Sequence, residues 1–190
     1  MSRDNPQPIH LKDYRVPPFL IDRTDLHFEL GDKGTLVKSK LSMRRNPDST
    51  EENPLLRLDG DKDMVLRRLV LDGKDLTQDS YLLSEESLEI KDLPDRFTLE
   101  CVTLINPEEN TSLEGLYKSN GMFCTQCEAE GFRKITYYLD RPDVMAVFTT
   151  TIVADKARYP VLLSNGNPVD QGTLEKGRHW VTWEDPFPKP

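Results

Sequence analysis

The sequence has few cysteines and no long apolar run, and each scarcity argues against a class of protein. Its 190 residues include three cysteines, an odd and small number that does not describe the disulfide framework of a small secreted domain. No run of about 18 apolar residues occurs, as a membrane-spanning helix would need. The N-terminal MSRDNPQPIHLKDYR lacks the apolar segment of a secretory signal. We therefore expect a soluble, cytoplasmic protein with reduced thiols.

Basic residues are also fewer than acidic residues. The chain has 25 Lys and Arg residues against 33 Asp and Glu residues, for a formal net charge of -8. Such a surface repels the phosphates of nucleic acids and of anionic lipids. We expect neither nucleic acid nor a membrane as a partner.

Histidines are few and widely separated. His10, His27 and His179 lie in different segments, and none belongs to an H-E-x-x-H sequence. The chain therefore lacks the helix that binds zinc in many metalloproteases. The spacing predicts ordinary histidines at the surface or at strand edges rather than metal ligands.

Cys124 and Cys127 form a C-x-x-C pair, which raises the question of a metal or redox site. A four-cysteine zinc site needs a second pair, but only Cys101 remains. A thioredoxin-like pair needs a strand-helix-strand context, whereas strands and turns flank this segment. The simplest interpretation is two small, reduced, apolar residues, and a thiol oxidoreductase is the weakest of the functional alternatives.

Alternation of apolar and polar residues is the main structural signal. It runs through Thr24–Leu30 and Thr35–Arg44 and indicates half-buried strands. Similar patterns occur in residues 63–71, 87–93, 96–105, 144–155 and the stretch RHWVTWED. The turn sequences GDKG and LDGKDL predict hairpins. Only LDRPDV suggests a helical turn, so we predict a single all-β, mostly antiparallel domain.

The stretch CTQCEAEGFR is a candidate binding loop. Gln126, Glu128 and Glu130 occupy alternate positions, so in an extended segment their side chains point to the same side. A solvated polar face is the usual explanation of such a pattern. Aromatic and charged residues follow at once, in RKITYYLDRPD, and such loops on a sheet often carry binding residues.

Five blocks of the sequence, taken in order, carry a resemblance to a known family. They are LEGLY, CTQCEAEGFR, TYYLDRPDV, YPVLLSNGN and HWVTWEDPFPKP. The chain closely resembles the N-terminal domain of the bacterial aminopeptidase N family, zinc metalloexopeptidases of the gluzincin class. The resemblance implies a saddle-like, mostly antiparallel β-sandwich with very little helix. It implies that residues 1–190 are one N-terminal domain of a longer enzyme that hydrolyses N-terminal residues from peptides.

The resemblance also assigns roles. A thermolysin-like catalytic domain is expected after Pro190 as this domain's partner, and it carries the Zn²⁺ ligands and the general base. None of these lies in this chain, so the chain alone is expected to bind no zinc and to be inactive. In the family, a Q-x-E element on a loop of this domain reaches the active site, and its matching positions are Gln126 and Glu128. Glu128 is expected to bind the α-ammonium group of the peptide substrate, and Gln126 to orient the substrate or support Glu128.

A free-standing β-sandwich that serves as a binding or interaction module is the alternative. Strand patterns continue almost to the final DPFPKP, from which we expect a chain cut from a longer protein. An exposed apolar patch would favour that interpretation, because a stand-alone module covers its apolar surface.

Overall fold

Strands dominate the protein. The structure, a computed structural model, describes residues 10–190, so residues 1–9 of the segment examined for a secretory signal lie outside it. Within this range helix is confined to the 3₁₀ turns Leu11–Asp13, Gln78–Ser80 and Phe132–Lys134. No helix among these residues is long and apolar enough to cross a membrane. The expected all-β class with very little helix is confirmed.

Thirteen strands are present in the described range. They are β1 (Phe19–Glu29), β2 (Thr35–Arg45), β3 (Leu56–Asp59), β4 (Val65–Leu71), β5 (Lys74–Asp75), β6 (Tyr81–Leu83), β7 (Ser87–Ile90), β8 (Arg96–Ile105), β9 (Gly115–Ser119), β10 (Met122–Gln126), β11 (Ala146–Asp155), β12 (Asn167–Thr173) and β13 (Arg178–Lys189).

Eight of these strands form one large sheet, in the order β12-β13-β11-β1-β2-β8-β4-β5. Its neighbouring strands are antiparallel except β1 and β11, which are parallel. Strands β3, β7 and β6 form a three-stranded sheet, and β9 and β10 form a separate hairpin. The mostly antiparallel arrangement predicted from the sequence is confirmed.

A β-bulge keeps one face of β1 apolar along its whole length. Phe19 and Ile21 are buried at odd positions, whereas the buried residues after the bulge occupy even positions, beginning with Thr24. The register with β2 shifts between Ile21 and Arg23. One extra residue reverses the alternation, so the buried face continues instead of turning to solvent.

The three-stranded sheet forms a second layer, which covers this face and shares one apolar core with it. Core residues come from β1, β2 and β8 in the large sheet and from β3 and β7 in the small one. Residues 135–139 cross the buried face and are tied to it by hydroxyl groups. Thr136 bonds Ser39 at 2.8 Å, and the Tyr138 hydroxyl bonds Thr24 at 3.0 Å. The backbone of Tyr138 also bonds that of Asp59, which links the layers.

Some local predictions were imprecise. The LDRPDV segment forms turns, not a helical turn: the Arg141 N–H donates to the Leu139 carbonyl and the Val144 N–H to the Arg141 carbonyl. Strands β9 and β10 were not predicted as a hairpin. The hairpins at GDKG and LDGKDL were predicted correctly.

Candidate functional site

The β9–β10 hairpin places Gln126 at the end of a paired strand. Its turn is Asn120-Gly121, whose φ angles of 49° and 80° are both positive, as the common two-residue hairpin turn requires. Pairing runs from Met122 opposite Ser119 to Gln126 opposite Gly115. Gln126 is therefore the last residue of β10, and the chain leaves the hairpin directly after it.

A tight turn follows β10 and contains Glu128. We call residues 127–131 the site turn. The Gly131 N–H donates to the Cys127 carbonyl at 2.9 Å, which closes it. The Gln126 side-chain Nε2 donates to the Glu128 carbonyl at 3.0 Å, and the Glu128–Ala129 peptide bond is cis. Gln126 thus holds the backbone of Glu128, the residue with which the sequence paired it.

Two glycines allow the site turn to lie against the start of β9. A Cβ atom on Gly131 would lie 2.6 Å from the Gln126 carbonyl oxygen and 3.2 Å from the Gly115 nitrogen. Gly115 has a φ of +70°, and its Cβ would lie 2.8 Å from the Cβ of Lys134. Real Cβ atoms do not approach other atoms so closely, so both positions require glycine.

Arg133 anchors the chain just after the site turn. Its Nε donates to Oδ2 of Asp140 at 2.9 Å, and its Nη2 donates to the Asp140 carbonyl at 3.0 Å. The Arg133 backbone N–H bonds the same carboxylate oxygen at 3.1 Å. Asp140 is held in turn by its own N–H, which donates to Oδ2 of Asp59 at 3.3 Å. Burial raises the pKa of Asp59.

The three acidic and amide side chains singled out by the sequence have different surroundings. The Glu128 side chain is exposed, and within residues 10–190 its carboxylate has no hydrogen-bond or ion-pair partner. The Glu130 carboxylate instead faces Arg133, with Oε1 3.7 Å from Nη2. The expectation that Glu130 continues the extended alternation was wrong, because the strand ends at Gln126 and Glu130 adopts a φ of +67° in the turn.

The cysteines are reduced, and the environments of two of them disfavour reactivity. Cys101, Cys124 and Cys127 are free. Burial raises the pKa of Cys101 to about 12 and that of Cys127 to about 11. The thiolate is the nucleophilic form, so a raised pKa argues against a redox role for Cys127. In the described part of the chain, no three His, Cys, Asp or Glu side chains converge as a metal site would require. The candidate ligand residues in the described range therefore do not form a zinc site.

The histidines sit in different environments. His10 is exposed and His27 is partly exposed, with its Nε2 3.6 Å from Oε1 of Glu29. The expectation of a surface or strand-edge position was wrong for His179, which is buried. It lies on β13, which pairs with β11 on one side and β12 on the other. Its Nε2–H donates to the Tyr159 carbonyl at 2.8 Å, which satisfies the buried ring.

An apolar groove opens beside the hairpin. It has a volume of about 320 Å³ and lies between the β9–β10 hairpin, strands β1 and β11, and residues 159–165. Cys124 and Cys127 line it, whereas Gln126 and Glu128 do not. Val161 and Leu163 line the groove and are 68% and 70% exposed, and Phe187 on β13 is 75% exposed.

Comparison with known proteins identifies the family. Residues 69–190, more than half of the chain, match the peptidase M1 N-terminal domain, and the chain belongs to this family. Aminopeptidase N of Escherichia coli is 51% identical over 185 residues, which are 97% of this chain and 21% of that protein. The chain spans about a fifth of the length of the curated relatives it matches. It corresponds to the N-terminal part of aminopeptidases.

Solved structures agree with this assignment. The crystal structure of Legionella pneumophila aminopeptidase A in complex with aspartic acid superposes with a TM-score of 0.90 at 38% identity, over 95% of this chain and 21% of that one. An M1 zinc metallopeptidase from Deinococcus radiodurans gives a TM-score of 0.74 over 91% of this chain and 40% of that one. Its identity is 18%, so this second likeness shows the fold alone.

The sequence did not predict the contacts that support the site. Gln126 and Glu128 were predicted, and the structure brings them together by one hydrogen bond. Gly115, Gly131 and the Arg133–Asp140 pair were not predicted. One signal was available, because Asn120-Gly121 is the same kind of hairpin signal as the Asp72-Gly73 pair that was used. No local sequence pattern predicts the contact between Gly115 and Gly131.

Proposed function

We propose that this chain is the N-terminal domain of a zinc-dependent aminopeptidase, which removes N-terminal residues from peptides, and that its site turn binds the substrate's free α-amino group. Family membership and the aminopeptidase relatives support the first part. One observation carries the second: the exposed Glu128 carboxylate lacks a partner within residues 10–190, although hydrogen bonds and glycine contacts fix its backbone. A charged acceptor held in place without a partner suits an external cation.

The chemistry of an aminopeptidase substrate requires such a group. A free α-ammonium group carries three N–H donors, and carboxylates accept them with charge assistance. Glu128 would accept one of these hydrogen bonds. The Gln126 amide already donates to the Glu128 carbonyl at 3.0 Å, so Gln126 supports Glu128, and its side-chain carbonyl stays available as an acceptor.

The zinc of the proposed enzyme belongs to the catalytic domain, not to this chain. Because residues 10–190 bring no metal-binding group together, we propose that the isolated chain binds no zinc and hydrolyses no peptide. When bound in the catalytic domain, the metal activates water and polarises the scissile carbonyl. A cytoplasmic location and the lack of nucleic-acid and membrane partners stay predictions from composition.

The apolar groove supports a place within a larger protein. The relatives are about five times longer than this chain, so most of the full-length protein lies outside it. We propose that the catalytic domain of the same polypeptide covers Val161, Leu163 and Phe187. A free-standing module would leave these side chains in water, which is unfavourable at about 25 cal/mol per Å² of apolar surface. The groove therefore favours the domain of a longer enzyme over a free-standing binding module.

Glu128→Ala in the full-length enzyme tests the proposed amine site. Removing one partner of a desolvated charged hydrogen bond costs about 2–5 kcal/mol. At about 1.4 kcal/mol per tenfold, kcat/KM should fall roughly 30-fold to several thousand-fold. Steady-state kinetics on an amino acid nitroanilide measures the loss. Alanine hydroxamate should lose affinity, whereas its N-acetylated analogue, which lacks the cation, should bind wild type and variant equally.

Glu130→Ala is the matched control. It removes the same side chain two positions away, where the carboxylate faces Arg133 and is 70% exposed. Exposed ion pairs contribute roughly 0–1 kcal/mol, so this variant should cost much less activity than Glu128→Ala. Near-wild-type kcat/KM for Glu128→Ala, or a larger loss for Glu130→Ala, would move the amine site away from Glu128.

A further inference from the structure

The site turn has only a few fixed points, and most of them lie at its two ends. Gln126 ends a paired strand on one side, and the Gly131 N–H closes the turn through Cys127. Between these points Glu128, Ala129 and Glu130 are all exposed. Besides the Gln126 side chain, which donates to the Glu128 carbonyl at 3.0 Å, the direction of the Glu128 backbone therefore depends on how firmly the residues after Gly131 are held.

Arg133 provides the firmest attachment on that side. Three hydrogen bonds join it to Asp140, two from the guanidinium group and one from the backbone N–H. Both side chains are largely buried, with exposures of 25% for Arg133 and 12% for Asp140. A charged pair with several hydrogen bonds and little solvent is stronger and more directional than an exposed pair.

The attachment continues into the core. Asp140 donates its N–H to Asp59, and Asp59 pairs through its backbone with Tyr138 on the crossing segment. Tyr138 is buried and bonded to Thr24 of the large sheet. From Arg133 the Nη2 atom also lies 3.7 Å from the Glu130 carboxylate inside the site turn. A continuous series of polar contacts therefore joins the large sheet to the site turn.

We infer that Arg133, which is hydrogen-bonded to Asp140, is a positioning residue. It orients the site turn so that the Glu128 carboxylate can bind the substrate's α-ammonium group. This inference rests on the proposed function. The Nε and Nη2 groups of Arg133 donate to Asp140, so we assign Arg133 an indirect role rather than contact with the substrate. It acts through the backbone that connects it to Glu128.

A double-mutant cycle in the full-length enzyme tests this role. Arg133→Met should lower kcat/KM for an amino acid nitroanilide about tenfold, within the range for coupled neighbours. In a Glu128→Ala background the same substitution should have little further effect, because the carboxylate it positions is gone. Arg133→Lys keeps the charge but cannot form the forked contact with Asp140, so it should give an intermediate loss.

Inhibitor binding separates positioning from general damage to the fold. Arg133→Met should weaken alanine hydroxamate about tenfold and leave N-acetylalanine hydroxamate unchanged. Arg44→Met is the matched control, since Arg44 is 30% exposed and its Nε lies 2.8 Å from Asp22 on the large sheet. It should leave both affinities at the wild-type values.

The outcomes distinguish this inference from the proposed function. Suppose that Glu128→Ala lowers kcat/KM, and that Arg133→Met lowers it by the same factor in the wild-type and the Glu128→Ala backgrounds. Then Glu128 binds the amine but Arg133 does not act through it, and the inference is wrong. Equal weakening of both hydroxamates by Arg133→Met and Arg133→Lys would also overturn it. If Glu128→Ala has no effect, the proposed amine site fails and the positioning role fails with it.

Discussion

Glu128 and Glu130 carry the same side chain two positions apart, but the fold gives their carboxylates different surroundings. Glu130 lies 3.7 Å from Arg133, whereas Glu128 has no partner in the described range. Their alternation in the sequence made them equivalent candidates for one face. The turn after Gln126 separates them, because Glu130 adopts a left-handed backbone conformation. Of the two carboxylates, only that of Glu128 is therefore without a partner in the described range, as the proposed amine site requires.

Thiol reactivity provides a prediction at the residue scale. Burial raises the pKa of Cys101 to about 12 and that of Cys127 to about 11. At pH 8 the thiolate fraction of a group with a pKa about three units higher is about one in a thousand, so both thiols should react slowly. Titration of the native protein with Ellman's reagent should detect at most one fast thiol, and unfolded protein should give all three. Rapid alkylation of Cys127, located by peptide mapping, would contradict the interpretation of a packed, inert thiol.

At the scale of elements, the site depends on a close approach between the start of β9 and the site turn, with a glycine in each segment. The start of β9 and the site turn approach so closely that Gly115 and Gly131 leave no space for a Cβ. In this arrangement Gln126 pairs with Gly115, and the site turn that contains Glu128 begins directly after this pair. The hairpin therefore fixes the position of the first residue of the site turn, and the contact between Gly115 and Gly131 fixes the position of its last residue.

Gly131→Ala tests this contact in the full-length enzyme. The new Cβ would lie 2.6 Å from the Gln126 carbonyl, so the site turn must shift. Such overpacking costs about 1–3 kcal/mol, and displacement of Glu128 should lower kcat/KM about tenfold or more. Steady-state kinetics and thermal unfolding measure the two effects.

Gly73→Ala serves as its control. Gly73 has a φ of +78°, but nothing lies within 4 Å of its Cβ position, and its hairpin is separate from the site. The substitution should cost about 1–2 kcal/mol of stability through backbone strain and leave kcat/KM unchanged. Equal activity losses in the two alanine variants would show that stability, not the position of the turn, determines the activity.

At the scale of the whole molecule, several distant segments together form the apolar groove. Its walls come from the large sheet, the hairpin and residues 159–165, so it is a product of tertiary packing. Val161 and Leu163 line it, and with the exposed Phe187 on β13 they form the surface proposed to contact the catalytic domain. Such a contact would place the β9–β10 hairpin next to that domain, as an amine site near the active centre requires.

Leu163→Ser should distinguish a covered groove from an exposed one. Leu163 is 70% exposed in this chain, so the substitution should change the free energy of unfolding of the isolated chain little. In the full-length enzyme, burial of this side chain by the catalytic domain should make the same change cost about 1.5–3 kcal/mol. Thermal and urea unfolding of both proteins measure the difference.

Leu82→Ser is the comparison for this surface. Leu82 is 64% exposed on β6 and does not line the groove. It should cost little in either protein. If Leu163→Ser also costs little in the full-length enzyme, then the catalytic domain does not cover the groove.

Much of the fold was predictable because its signals are local. Alternation predicted β2 and β8 almost to the residue, and the Asp72-Gly73 dipeptide predicted a hairpin turn whose φ angles are indeed both positive. Short strands such as β3 and β6 carried too few residues for a pattern. The bulge in β1 interrupted its alternation, which is why the strand was predicted to begin at Thr24 rather than Phe19.

The sequence by itself determined the all-β class, through strand alternation and turn residues, and a family resemblance predicted Gln126 and Glu128 as candidate binding residues. Only the tertiary structure decided which carboxylate is free, because the ion pair of Glu130 depends on where Arg133 is held. It also decided that Asp140 clasps Arg133 and that Gly131 lies against Gly115. These contacts join segments separated by a strand or a turn, and their geometry depends on how the layers pack, which no local pattern of residues records.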